Sequence, residues 1–123
     1  MLADRARILV VDDNEDAVEM TGCWLKDRGY AVATATDGAA ALALVDTFHP
    51  HCVFLDVRMP GIDGLELARQ VRARHDEIVL IAMSGFSADD SRVAATFDLV
   101  DHYFEKPLNL DAVAKVLEPR RLA

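Results

Sequence analysis

Five short apolar runs punctuate the chain: Ile8–Val11, Ala31–Ala35, Cys52–Leu55, Ile78–Met83 and His102–Phe104. The first, third and fourth are continuously apolar, the pattern of strands covered on both faces. The second and fifth are shorter or more mixed and suit sheet edges. Between them the apolar period lengthens to that of helices packed by one stripe. The first helix is predicted from about Glu15 to Arg28, with Asn14 as N-cap and Gly29 as its stop. Val18, Thr21, Gly22 and Leu25 form its inward stripe; Glu19, Lys26 and Asp27 face water. A second helix covers about Gly38 to Thr47 behind Asp37 and ends before Pro50. A third, about Leu65 to Arg74, packs through Leu65, Ala68 and Val71 or neighbours. Ser87 with Asp90 opens a fourth like a capping box. Asn109 opens a fifth, with Leu110, Val113, Val116 and Leu117 as its apolar positions.

Strand and helix alternating through five βα units predict an α/β fold, a doubly wound sandwich around a parallel sheet. Such sheets bind ligands at the carboxyl ends of their strands. The first strand ends in Asp12-Asp13, the third in Asp56, the fourth in Ser84 and the fifth in Lys106-Pro107. Singly, each has an ordinary reading: helix caps, a turn residue, a loop hydroxyl, a surface lysine. Together they bring three carboxylates, a hydroxyl and an ammonium to one rim. Two carboxylates about 5 Å apart repel by roughly 3 kcal/mol at an effective dielectric near 20. Three in one cleft therefore need a proton or a cation. Zinc favours His or Cys, and neither lies near this rim. Oxygen-only donors favour Mg²⁺, and with the lysine they are set to stabilise a transferring phosphoryl group.

At 123 residues and 52% apolar composition, the chain fits one domain, residues 1–123, with a core of about 7–118. No stretch approaches the roughly 18 apolar residues that span a bilayer, and no secretory leader is evident, so a cytoplasmic location is expected. The formal net charge is -8, and the only basic run is Arg120-Arg121, which argues against direct nucleic-acid binding. Cys23 and Cys52 read as two buried thiols. His49-Pro50-His51-Cys52 reads as a polar turn before a strand in preference to a metal site. Trp24 reads as partly buried in the core, ahead of a partner contact.

Val10-Val11-Asp12-Asp13-Asn14, Leu55-Asp56 with Met59-Pro60-Gly61-Ile62-Asp63-Gly64, Met83-Ser84-Gly85 and Tyr103-Phe104-Glu105-Lys106-Pro107 together resemble the signature of response-regulator receiver domains. The likeness runs from about Arg7 to Leu117 and includes the spacing among the motifs. It implies a flavodoxin-like sheet of order 2-1-3-4-5, an order the receiver fold is known for. It also implies that Asp56 is the phosphoacceptor and that the donor is a histidine kinase or histidine phosphotransfer protein. Mg²⁺ would be held by Asp13, Asp56 and the backbone carbonyl of Arg58, with Asp12 acting through water. Lys106 would pair with Asp56 and then with a phosphoryl oxygen, and Ser84 would hydrogen-bond the phosphoryl group. Tyr103 would turn inward as Ser84 moves, and the face bearing it would meet a downstream protein. The Lys106-Pro107 bond would be cis. In similar domains the positions of Arg58 and Phe86 influence the lifetime of the aspartyl phosphate, and a long cation with a bulky ring would hinder water.

Two positions depart from the usual pattern. Leu99 stands where glycine is common, so the stop of the fourth helix there is less certain, and Ser84 replaces the commoner threonine. Three other readings compete. A phosphatase with an aspartyl nucleophile, of the haloacid dehalogenase type, carries D-x-D after its first strand, whereas Asp12 and Asp13 are adjacent. A flavodoxin-like electron carrier needs a Ser/Thr/Gly-rich loop where Asp12-Asp13-Asn14 would repel a phosphate. A scaffold without chemistry has no need of all five rim residues.

Overall fold

Alternation along the three central strands divides their side chains between two apolar layers, one on each face of the sheet. The structure, a computed structural model, describes residues 6–57, 64–85, 95 and 98–117. Its elements are β1 (Arg7–Val11), α1 (Glu15–Asp27), β2 (Ala31–Ala35), α2 (Gly38–Phe48), β3 (Cys52–Asp56), α3 (Gly64–Arg74), β4 (Val79–Ser84), β5 (His102–Glu105) and α4 (Leu110–Leu117). All strand pairs are parallel, in the order β2-β1-β3-β4-β5. Leu9, Val11, Val53, Leu55, Leu80 and Ala82 pack with α2 and α3. Ile8, Val10, Cys52, Phe54, Ile81 and Met83 pack with α1 and α4. Burial on both faces is why β1, β3 and β4 read as unbroken apolar runs.

The helix ends follow their punctuation. Asn14 Oδ1 accepts the Ala17 N–H at 3.0 Å, and Asp37 Oδ1 accepts that of Ala40 at 2.8 Å. Gly29 takes the left-handed conformation that stops α1 (φ 98°), donating to the Lys26 carbonyl. Asn109 Oδ1 caps α4 through the Ala112 N–H at 3.1 Å. This α4 is the fifth helix of the sequence prediction. The predicted fourth, with Ser87 and Asp90, lies outside the described residues, as do Arg58, Phe86 and Arg120-Arg121.

Three packing expectations are corrected. Leu65 is only half-buried; the inner face of α3 is Gly64, Leu67, Ala68 and Val71, a stripe of the same period shifted in phase. Leu110 is exposed in the first turn of α4, and Val113 and Leu117 form its buried contact. Cys23 is exposed and only Cys52 is buried, because position 23 falls on the solvent side of a stripe set by Val18, Gly22 and Leu25. Trp24 is half-buried against the α1 layer, with the Arg28 guanidinium 4.5 Å from its ring centre.

The amino ends of β1 and β3 are tied by His51, whose Nδ1 accepts the Arg7 N–H at 2.9 Å while its own N–H donates to the Arg7 carbonyl at 2.8 Å. Partial burial, then the Arg7 charge, lowers the His51 pKa from its ordinary value of 6.5. The fold therefore favours neutral imidazole, and the unfolded chain binds the proton first as acid is added. This contribution to stability is complete above pH 6.5 and is lost as pH falls through the lower folded value. Unfolding midpoints taken from neutral to mildly acid pH should fall more steeply for the wild type than for His51→Gln; equal slopes would discount the contribution.

Candidate functional site

Strand register assembles the rim. Val11 of β1 is level with Leu55 of β3, so the next residues, Asp12 and Asp56, are carried side by side. Asp56 is also level with Met83 of β4, and Ser84 with Glu105 of β5, which leaves Lys106 just past the strand. The Lys106 N–H donates to the Ser84 carbonyl at 2.8 Å, fixing that exit, and the Lys106–Pro107 peptide is cis. The predicted carboxylates do meet: oxygens of Asp12, Asp13 and Asp56 lie within 4.8 Å of one another. Lys106 Nζ spans two of them, donating to Asp12 Oδ2 at 2.6 Å and to Asp56 Oδ2 at 2.9 Å.

The Asp12 and Asp56 side chains are only 3% and 10% exposed, whereas Asp13 faces solvent. Buried charges of one sign are tolerated only with a partner. Lys106 is that partner for both. Burial works to lower its pKa, but the hydrogen bonds and charges of Asp12 and Asp56 outweigh this and hold it above the ordinary lysine value. Asp12 is engaged at both oxygens, since Oδ1 accepts the Asn14 N–H at 3.0 Å. Among the described residues, every buried side-chain nitrogen and oxygen has a hydrogen-bond partner. The donor set of the carboxylate cluster is oxygen alone, and its exposed member leaves room for water, which fits a hard divalent cation such as Mg²⁺.

Ser84 belongs to the other alternation of β4. It is fully buried, and its side chain hydrogen-bonds that of Tyr103, which packs half-buried against the α2–α3 layer. Burial raises the Tyr103 pKa, Glu105 adds to this, and the bond to Ser84 partly offsets it.

Three features, two in the site and one remote from it, escaped the sequence reading. The nearer carboxylate to Lys106 is that of Asp12, not Asp56. Gly64 opens α3 directly against the chain at Asp56 and Val57, and a Cβ there would lie 2.1 Å from the Asp56 carbonyl oxygen and 2.6 Å from Val57 Cα. Its N–H donates to the Val57 carbonyl at 3.0 Å. The sequence signal was present, because this glycine ends the motif that follows Asp56. The third is Arg72, whose Nε and Nη2 both reach the Leu99 carbonyl, at 3.2 and 2.9 Å. Leu99, in the glycine-favoured position, needs no left-handed backbone: among the described residues only His49 is a non-glycine with positive φ.

Comparison with known proteins agrees with this geometry. The family model described as "Response regulator receiver domain" matches residues 8–118. The response regulator MprA of Mycobacterium sp. strain KMS is 39% identical over 105 residues, 85% of this chain and 46% of that protein. Its counterpart in Mycobacterium avium strain 104 is 37% identical over the same span. The chain thus spans about half the length of the curated relatives it matches. Among solved structures, the response regulator TrrA from Thermotoga maritima, in complex with Mg(2+)-BeF, is 32% identical with a TM-score of 0.83, covering 93% of this chain and 97% of that one. A response regulator receiver protein from Pseudomonas putida is 27% identical with a TM-score of 0.86, covering 94% and 97%.

Proposed function

This chain belongs to the response-regulator receiver domain family, and on that premise we propose that Asp56 accepts a phosphoryl group from a phosphohistidine on a histidine kinase or phosphotransfer protein. The observation that carries the reading is the Lys106 ammonium bridging Asp12 and Asp56, with Asp13 alongside, across the ends of three strands. One carboxylate oxygen of Asp56 forms the new P–O bond as the donor P–N bond breaks, and the electron pair leaves on the imidazole nitrogen. Lys106 already places its ammonium on Asp56 Oδ2, beside the position the negatively charged phosphoryl oxygens would take during transfer. Asp13 and Asp56, with the Arg58 carbonyl, would hold Mg²⁺, which when bound offsets phosphoryl charge. Asp12, engaged at both oxygens, suits an outer role through water. The Ser84 hydroxyl would turn to a phosphoryl oxygen, releasing Tyr103 to report the change on its face to a downstream protein.

The test is intact-protein mass spectrometry after incubation with acetyl phosphate and Mg²⁺. The wild type should gain one phosphoryl group and stop, and Asp56→Asn should gain none. Uptake by Asp56→Asn, or continuing hydrolysis of a phosphoester by the wild type, would overturn the assignment. No helix of the described residues is long and apolar enough to cross a membrane.

A further inference from the structure

β5 is the strand on which the proposed chemistry and readout both depend, since Tyr103 lies on it and Lys106 just beyond it. It is also the least anchored strand. It has four residues, none of them buried, and it pairs with β4 alone. Apolar burial, which sets register in the central strands, does little here, and a slip of one residue would turn Tyr103 to the other face. Something else must hold its beginning.

The residue that does so is Arg72, on the last turn of α3. Its Nη1 donates to the carbonyls of Asp76 at 3.0 Å and Ile78 at 2.9 Å, on the way into β4. Its Nη2 donates to Asp101 Oδ2 at 3.0 Å, besides the two bonds from Nε and Nη2 to the Leu99 carbonyl. A guanidinium has five N–H donors, and here five bonds engage them. Asp101 completes the junction: its Oδ2 also accepts the Leu80 N–H at 2.9 Å, and its own N–H donates to the Leu80 carbonyl at 2.8 Å. The Arg72 side chain is 22% exposed and that of Asp101 45%, so the guanidinium is largely withdrawn from water while its carboxylate partner stays at the surface. A planar cation with all its donors placed is a rigid joint between helix α3, the start of β4 and the start of β5.

We propose that the Arg72–Asp101 clamp is a positioning device for phosphoryl transfer: it sets the register and order of β5, so that Lys106 reaches Asp12 and Asp56. This rests on Asp56 being the acceptor. The clamp stands at the opposite end of β5 from the chemistry and touches none of the reacting groups. Its effect divides by strand. The proposed metal-binding carboxylates are carried by β3 and the end of β1, whereas the lysine is carried just past the end of β5. Loosening the clamp therefore slows transfer without weakening Mg²⁺ uptake.

Phosphorylation by acetyl phosphate is measured at saturating donor and Mg²⁺, with Mg²⁺ affinity by calorimetry and amide exchange of β5. Arg72→Met should lower the saturating rate by about tenfold, speed exchange at Tyr103 and Phe104, and leave Mg²⁺ affinity undiminished. Arg72→Lys, which keeps the charge but loses the planar fork, should recover part of the rate. Val45→Ala, a core change on α2 away from β5, serves as the control for lost stability and should keep the wild-type rate while folded. Should Arg72→Met fold poorly, Asp101→Asn supplies the same comparison with a smaller loss. Wild-type rates in Arg72→Met and Asp101→Asn, or an equal loss in Val45→Ala, would overturn the clamp as a positioning device. Failure of the underlying assignment looks different: there Asp56→Asn would still take up phosphate.

Discussion

Gly64→Ala should destabilise the fold by about 3 kcal/mol and slow phosphorylation with it. The added methyl carbon would sit 2.1 Å from the Asp56 carbonyl oxygen and 2.8 Å from its carbonyl carbon. These neighbours are backbone, so no rotamer change relieves the clash. Either α3 moves off the sheet or the main chain of Asp56 and Val57 shifts, and that second movement displaces Asp56, the proposed acceptor. Gly64 is buried at the head of α3, beside Leu67 and Ala68, so the first movement opens the α2–α3 layer. Gly85→Ala is the matched comparison, because a Cβ there meets nothing within 4 Å. It should unfold within about 0.5 kcal/mol of the wild type. Urea unfolding of the two variants distinguishes them, and a Gly64→Ala curve overlying that of Gly85→Ala would show that the close approach is not tight in solution.

Lys106→Met should have three separable consequences. Phosphorylation should slow by about a hundredfold or more, the usual cost of deleting one preorganised donor to developing charge. The metal-free protein should lose about 3 kcal/mol, because Asp12 and Asp56 are left buried without their cation. Mg²⁺ should nevertheless bind more tightly. In the wild type the ammonium already occupies oxygens of Asp12 and Asp56, so an incoming ion must share them with it. Removing the lysine removes that competitor and leaves an excess of negative charge. Calorimetric titration with Mg²⁺ reads the sign directly, and weaker binding by Lys106→Met would mean that the lysine assists the ion instead of competing with it. Added Mg²⁺ should also restore more stability to this variant than to the wild type.

Which parts of this were legible in the sequence follows from how each is determined. The central strands were plain because burial on both faces leaves no polar position to blur them, and the helix ends because Asn14, Gly29, Asp37 and Asn109 act within their own few residues. Asp12, Asp13, Asp56, Ser84 and Lys106 could be placed on one rim because each ends a strand of a parallel sheet. Phase was harder: Leu65 and Leu67 both satisfy a helical stripe, and only the surface that α3 meets selects the second. Partner choice was out of reach. Whether Lys106 lies nearer Asp12 or Asp56 depends on fractions of an ångström between strands, and the five bonds of Arg72 join segments that no local pattern links.

The parity of β4 has a consequence for how such a domain can diversify. Asp12 and Asp56 continue the alternation that runs into the α1–α4 layer, whereas Ser84 and Tyr103 continue the one that runs into the α2–α3 layer. On the proposed assignment, phosphoryl chemistry and readout thus lie on opposite faces of one sheet, with Ser84 and Tyr103 hydrogen-bonded to each other on the second. The same assignment lets residues around Tyr103 be rewritten for a new listener while the acid cradle behind them stays as it is.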